Sequence, residues 1–382
     1  VTGARQIGKT TLIKQTFGHV PNIQYVTLDY PMLRNLAKTD PELFLQQYPA
    51  TIIIDEIQYA PELLPYIKIQ VDENRKNGQY FLTGSQMFHL MKNVSESLAG
   101  RVGIAPLYGL SRSEIAGEER ELLTMNQNIE YQSSETITSI FDKIYRGSMP
   151  QMIVDKNLSP ENYYGAYVQT YMERDIHDLL EIKKESAFLK FISCVAARTG
   201  QELNISDMAS DTNIDNKTAE RWLSLLVTSG LVFLLNPYSG NTIKRIVKRS
   251  KLYFMDTGLA CYLSLWNNPR AMENSAMAGA FFETYVISEL IKQYCNKGID
   301  VRSRFSYYRD NNGCEIDLII IENGILHPIE IKKSSNPTKE ALKNFKILSS
   351  LNANIGEGFV ISLSSFTYPL DEKNKVVPIG VL

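Results

Sequence analysis

Three sets of residues in this chain have the types and spacing for chemistry. The first is Gly3-Ala4-Arg5-Gln6-Ile7-Gly8-Lys9-Thr10, two glycines around four intervening residues, then Lys and Thr. Glycines at those places let the backbone curl until its N–H groups point inward, which makes a cradle for phosphate. At this spacing, that of a P-loop, Lys9 reaches the β- and γ-phosphates and Thr10 sets its hydroxyl on Mg²⁺. The stretch from Thr11 reads as a helix, whose N-terminus would also face the anion. Gly3, Ala4, Arg5, Gln6, Ile7, Gly8, Lys9, Thr10 and Thr11 are therefore the expected contacts for ATP and Mg²⁺.

The second set is Thr51-Ile52-Ile53-Ile54-Asp55-Glu56, an apolar run that ends in two acids. A continuous apolar run suits a central parallel strand covered on both faces. Acids at its C-terminal end emerge where open α/β sheets bind ligands. Asp55 is the expected Mg²⁺ ligand of a Walker B strand, and Glu56 the residue that orients and polarises the attacking water. Residues 23–28 and 79–83 read as further strands, and 102–107 as another. Thr83 and Ser85 are both placed to sense a γ-phosphate, and the sequence does not choose between them. Arg101, just before the last of these strands, could stabilise transition-state charge in a neighbouring subunit or be an ordinary ion-pairing arginine.

This order of elements resembles the AAA+ class of P-loop ATPases, above all a prokaryotic branch with G-x-R-Q-x-G-K-T and the strand end Leu82-Thr83-Gly84-Ser85. The resemblance implies a parallel-sheet α/β core that hydrolyses ATP, followed by a C-terminal domain of unknown function. It also implies a homo-oligomer through Arg101. A P-loop normally follows a central strand. Only two residues stand before Gly3, so the sequence is expected to lack an N-terminal segment that would supply it.

The third set lies near the C-terminus. Residues 279–294 read as an amphipathic helix carrying Glu283, residues 314–321 as a strand carrying Asp317, and residues 326–332 as a strand carrying Glu330 and Lys332. Alternate strand residues share a face, so Glu330 and Lys332 point the same way. Helix Glu, strand Asp and strand E-x-K in that order resemble the PD-(D/E)XK nuclease fold, an α/β restriction-endonuclease-like domain. The resemblance implies Glu283, Asp317 and Glu330 as metal ligands and Lys332 as the group that positions or deprotonates water. An active nuclease, a metal-capable domain that does not cleave, and a retained fold without a metal all remain open.

Between these sets the chain turns mainly helical. Tyr164, Tyr167, Val168 and Tyr171 fall at i, i+3, i+4 and i+7, a packing stripe on one helix face. Gly147-Ser148-Met149-Pro150 marks a turn before it. Three helices follow, beginning near Phe188, near Ile205 with Ser206 as a possible cap, and at Asn216. Two strands, 231–235 and 251–255, flank a loop. That order resembles a winged helix-turn-helix, whose third helix can enter the major groove. Lys217 and Arg221 on that helix, and Lys244, Arg245, Lys248, Arg249 and Lys251 on the wing, are the candidate nucleic-acid contacts. The same cations could equally be a solvated face or a protein contact.

The bulk composition bounds the rest. The chain has 382 residues, 44% hydrophobic and 21% charged, with a formal net charge of −2. That is a globular composition of several domains. It leaves any nucleic-acid site to a local patch. Cys194, Cys261, Cys295 and Cys314 show no C-x-x-C spacing, which argues against a zinc site and fits a reducing, cytoplasmic compartment. No apolar run approaches membrane-spanning length. The expected division is an ATPase core at 1–110, a helical linker at 111–185, a winged helix at 186–260 and a nuclease-like domain at 275–382. Two functions compete. One is an ATPase that acts on or senses DNA; the other is a nucleotide-dependent switch that binds a protein partner.

Overall fold

The computed structural model describes residues 1–84, 98–124, 129–171, 185–238, 249–351 and 353–382. They form two compact units, Val1–Tyr108 with Leu225–Gly230, and Gly109–Ser224 with Leu231–Leu382.

The first unit is built on β1 (Gln24–Thr27), β2 (Ile52–Asp55) and β3 (Tyr80–Leu82), all parallel and in the order β1-β2-β3. Helices α1 (Lys9–Phe17), α2 (Pro31–Thr39), α3 (Pro41–Gln47) and α4 (Leu63–Asn74) accompany them. The apolar run behaves as its pattern requires: Ile52, Ile53, Ile54 and Asp55 are all buried, and β2 is the central strand of the three. Ile52 and Ile54 join Phe44, Leu63, Leu64 and Ile67 in one core. Asp40 caps α3 through the Leu43 N–H, and Pro41 at its first position has no N–H to leave unmade.

Thr2 pairs in the parallel sense with Gly84 on one side and Pro106 on the other. The loop at Gly3 therefore leaves the sheet one position beyond β3, and β3 separates it from the strand that carries Asp55. Among the described residues, 102–107, expected as a strand, make only this one bridge. Gly103 and Pro106 explain the difference, since glycine weakens a strand and proline lacks the ladder N–H.

In the second unit, α5 (Arg112–Ala116), α6 (Ile137–Arg146), α7 (Pro150–Val154) and α8 (Pro160–Tyr171) come first. Tyr164, Tyr167 and Val168 of the expected packing stripe are buried. Tyr164 donates to Asp256 Oδ1 at 2.7 Å, and the Ser148 N–H donates to Asp256 Oδ2 at 2.7 Å. A side chain on Gly147 would meet the Tyr164 hydroxyl at 2.1 Å, which is why the turn carries glycine.

Next come α9 (Glu185–Ala196), β4 (Gln201–Glu202), α10 (Ile205–Thr212), α11 (Asn216–Thr228), β5 (Val232–Leu235) and β6 (Lys251–Phe254). The three strands form an antiparallel sheet in the order β4-β6-β5. Trp222 packs edge-on against Phe188 and Phe191. The cap of α10 is Asn204, not Ser206: Asn204 has extended backbone and accepts the Asp207 N–H, whereas Ser206 already lies inside the first turn.

Helices α12 (Thr257–Leu263), α13 (Pro269–Glu273) and the long α14 (Ala278–Asn296) lead to the C-terminal sheet. Its strands are β7 (Phe305–Arg309), β8 (Glu315–Glu322), β9 (Ile325–Lys332), β10 (Asn354–Ile355), β11 (Gly358–Ser362), β12 (Tyr368–Pro369) and β13 (Asn374–Pro378). They run in the order β12-β13-β11-β9-β8-β7, with β10 added on β9. β7, β8 and β9 are antiparallel neighbours, while β11 runs parallel to β9 and β13 parallel to β11. Among the described residues no helix is long and apolar enough to cross a membrane.

Candidate functional site

The loop from Gly3 to Gly8 has the backbone its glycines permit. Gly3 has φ 144°, and a side chain there would meet the Leu107 carbonyl oxygen at 2.2 Å. Gly8 has φ 88° and serves as the N-cap of α1 with no side-chain cap, while a Cβ added at it would meet nothing within 4 Å. The first N–H groups of a helix have no partner within it, so this end of α1 suits an anion. Lys9 is buried and donates to the carbonyls of Gly3 at 3.0 Å and Ala4 at 2.6 Å. Its ammonium thus lies against the loop that would hold the phosphates.

Asp55, at the end of β2, is 4% exposed and sits among three hydroxyls. Thr10 Oγ1 donates to it at 3.0 Å, Tyr25 OH donates at 2.7 Å, and Thr83 Oγ1 also donates to it. Thr83 in turn accepts the Glu56 N–H at 3.2 Å, so one threonine fixes both acids of the strand end. Glu56 has left-handed backbone, φ 60°, and accepts from the Gln58 amide. The structure thus brings together Gly3, Gly8, Lys9, Thr10, Asp55 and Glu56. Tyr25 is the residue that sequence reading missed. Its signal was partial: position 25 lies in the strand expected at 23–28, and only the pairing of β1 with β2 shows it beside Asp55.

The second constellation lies on α14, β6, β8 and β9. Asp317 stands one step beyond the Leu318–Ile329 pair of the β8–β9 ladder, opposite Glu330. Its Oδ2 accepts the Ile331 N–H at 2.8 Å. Glu330 is 5% exposed; Lys332 donates to its Oε1, and its Oε2 has no hydrogen-bond partner among the described residues. Glu283 faces Lys251, at 2.9 Å, and accepts from Tyr253 OH at 2.6 Å. Lys251 also pairs with Glu315, which Arg309 reaches at 3.2 Å. The three acids Glu283, Asp317 and Glu330 were expected around one ion. Among the described residues no three acids, histidines or cysteines gather closely enough to hold one. Lys251 lies between Glu283 and Glu315, and Asp317 stands opposite Glu330.

Burial pushes the pKa of Glu283, Asp317 and Glu330 up, and the negative charge of Asp317 adds to the rise at Glu283 and Glu330. Burial works against the Lys251 ammonium, yet Glu283, Asp317 and Glu315 outweigh it and hold its pKa above the ordinary lysine value. Lys332 shows the same balance, with Glu330 and Asp317 outweighing burial.

Comparison with known proteins matches three stretches of the chain. Residues 1–116 match the model of an AAA domain. The N-terminal part is an AAA-like P-loop domain. Residues 137–270 and 278–382 match two domains of unknown function, DUF8612 and DUF4143. Uncharacterized proteins of Mycobacterium bovis and Mycobacterium tuberculosis are each 27% identical over 339 residues, 88% of this chain and 70% of theirs. A crystal structure of a Vibrio cholerae protein aligns over 94% of both chains at 15% identity, with a TM-score of 0.21.

In the AAA-like domain, Arg101 pairs with Asp72 through Nε at 2.5 Å and Nη2 at 3.0 Å. Ser85, the other candidate γ-phosphate sensor, lies outside the described residues. A cavity of about 930 Å³ lined by Phe17, Ile67, Phe81, Val102 and Ile104 also belongs to this domain, but Lys9, Thr10 and Asp55 do not line it. Of the candidate nucleic-acid contacts, Lys217, Arg221 and Arg249 are exposed, and Lys244, Arg245 and Lys248 lie outside the described residues. Lys251 is corrected. It was read as a wing cation, but it is 3% exposed and ion-paired, because β6 places it against the acids of α14 and β8.

Proposed function

We propose that this chain is an ATP-hydrolysing AAA+-like protein whose nucleotide state drives a winged-helix and nuclease-like module that acts on or senses DNA. The observation that carries the ATPase reading is the cluster of Lys9, Thr10, Asp55, Glu56 and Thr83 at one end of a parallel sheet. The residues fit the ligand: Gly3 lies where a side chain would strike backbone, and the N-terminus of α1 carries no side-chain cap. The ligand supplies the phosphoanhydride bond and a Mg²⁺ charge shared by its phosphate oxygens. Lys9 exchanges its loop carbonyls for phosphate oxygens. Thr10 and Asp55 would hold the metal, and Thr10 would then give up its hydrogen bond to Asp55. Glu56 orients water and takes its proton, from a backbone position that Thr83 fixes. Arg101, released from Asp72, is the group that would act on a neighbouring subunit.

The winged-helix reading of residues 186–260 is supported by the order of three helices and three strands and by the β4-β6-β5 sheet. The nuclease-like reading of residues 275–382 is supported by Asp317 opposite Glu330 and by Lys332 beside it. The orphaned, buried Oε2 of Glu330 fits a divalent ion held by two carboxylates and its own waters. Lys332 would position the attacking water.

The second reading is a nucleotide-dependent switch that binds a protein and keeps an inactive nuclease-like fold. The ion pairing of Glu283 to Lys251 favours it, because that acid is already engaged. Steady-state ATP hydrolysis with and without duplex DNA separates the two. The first reading expects DNA to raise the rate and expects Lys244, Arg245 and Lys248 changed together to Glu to abolish both the stimulation and DNA binding. A rate indifferent to DNA leaves the switch. Mg²⁺-dependent nicking that persists in Asp317→Ala would sink the cleavage assignment.

A further inference from the structure

The C-terminal acids carry more charge than the lysines among them can cancel. Glu283, Glu315, Asp317 and Glu330 face Lys251 and Lys332, and Arg309 at the rim spans Glu315 and Glu202. With all four carboxylates ionised, the described residues would leave a surplus of two negative charges, in a place where Asp317 and Glu330 are almost wholly buried. Charge buried without compensation is costly. The surplus is also not spread evenly. The Glu283–Glu315 pair has a cation between its members, the ammonium of Lys251. The Asp317–Glu330 pair keeps a buried carboxylate oxygen with no hydrogen-bond partner among the described residues, Glu330 Oε2, on a side chain 6% exposed.

We propose that Lys251 takes the place of a second divalent cation: the cluster holds one ion, at Asp317 and Glu330, and a second place, at Glu283 and Glu315, opens only when the ammonium is removed. Paired metal sites are common where phosphodiesters are cleaved, and each ion needs only a few carboxylates beside its waters. An ammonium on a four-carbon stem is the simplest substitute for one of them. It delivers a single compact charge, and it needs no ion from solution. Lys251 can do this because β6, in the preceding module of the sequence, packs against α14 and hydrogen-bonds within the β4-β6-β5 sheet. Tyr253, two residues along the same strand, steadies Glu283 from the same side. The proposal rests on the reading of Asp317 and Glu330 as a metal site.

Mn²⁺ titration of the full chain, with free ion read by electron paramagnetic resonance, tests both. The wild type is expected to bind one ion, Asp317→Asn none, Lys251→Met two, and Lys251→Met with Glu283→Gln one again. Lys251→Met that stays at one ion overturns the proposal and leaves the metal site standing, and so does a wild type that binds two. A wild type that binds none overturns the metal site. In that case Lys251→Met must gain one ion that Glu283→Gln removes, or the proposal falls as well. If Lys251→Met does not fold in metal-free buffer, its melt is followed with Mn²⁺ added. Recovery of a cooperative transition supports the proposal, and no recovery overturns it.

Discussion

The two candidate sites of this chain both set a lysine near carboxylates, and they treat it in opposite ways. In the AAA-like domain, Lys9 rests on the carbonyls of Gly3 and Ala4, and Asp55 is held by the hydroxyls of Thr10, Tyr25 and Thr83. In the C-terminal cluster, Lys251 and Lys332 are ion-paired with Glu283, Glu315 and Glu330. Neutral partners are exchanged at modest cost, since a typical internal hydrogen bond is worth about 1 kcal/mol net. Buried ion pairs are not, because removing one member strands the other. The first arrangement suits a site whose ligand comes and goes each cycle. The second suits one whose charge is largely settled inside the fold.

The sharpest way to break this comparison is Lys9→Ala. If Lys9 exists to meet phosphate, its loss should lower ATP turnover at least about 100-fold, the scale of removing one preorganised donor from a charged transition state. Thermal stability should change far less than turnover, because the carbonyl contacts of Lys9 to Gly3 and Ala4 are neutral. A coupled phosphate-release assay and a melting curve on the same sample check both halves. Unchanged turnover removes the site assignment, and a collapsed melt would mean that Lys9 is structural.

Much of the first site was legible because its parts are local. Gly3 to Thr10 is one contiguous stretch, and the apolar run before Asp55 announces a buried strand without knowledge of its neighbours. The strand expected at 23–28 and the apolar run at 51–56 form Gln24–Thr27 and Ile52–Asp55, each within a residue of the pattern's ends. Asp317, Glu330 and Lys332 were legible for the same reason, since they sit on one hairpin. Lys251 was not. In sequence it ends a run of cations, and its partner Glu283 is 32 residues away on another element. Only tertiary packing decides whether such a lysine faces water or acid. The strand expected at 102–107 failed on similar grounds, since local propensity there had no ladder to join on both sides.

A pH series sharpens the contrast from the other side. Glu283, Asp317 and Glu330 have folded pKa values above their ordinary ones, so the folded chain keeps protons that the unfolded chain has released. The proton number is larger in the folded state, so stability falls as pH rises from the unfolded carboxylate values, about 4, through the folded ones. Each proton held only by the folded state contributes a slope of up to about 1.4 kcal/mol per pH unit. Lys251 and Lys332 remain charged across this window and do not reverse the sign. Urea midpoints at several pH values should therefore decline toward neutral and above in the wild type, and less steeply in Asp317→Asn. Added Mn²⁺ should flatten the wild-type decline, because the ion then competes with the protons. Parallel curves for the two proteins would show that the cluster does not set the slope.

The smallest expected effect tests whether the acid of the AAA-like domain is really held by exchangeable partners. Tyr25→Phe removes the 2.7 Å hydroxyl contact to Asp55 and keeps the ring, over which Lys14 lies at 4.0 Å. Thr10 and Thr83 still donate to the same carboxylate, so Asp55 keeps its place but loses one constraint on its orientation. The expected cost is about 1 kcal/mol, read as a roughly fivefold rise in the Mg²⁺ concentration for half-maximal ATP hydrolysis, with the maximal rate nearly unchanged. A loss as large as that of Lys9→Ala would mean that Tyr25 takes part in the chemistry. No change at all would mean that two threonines suffice. Either result would redraw the line between a site built on replaceable hydroxyls and a cluster built on fixed charge.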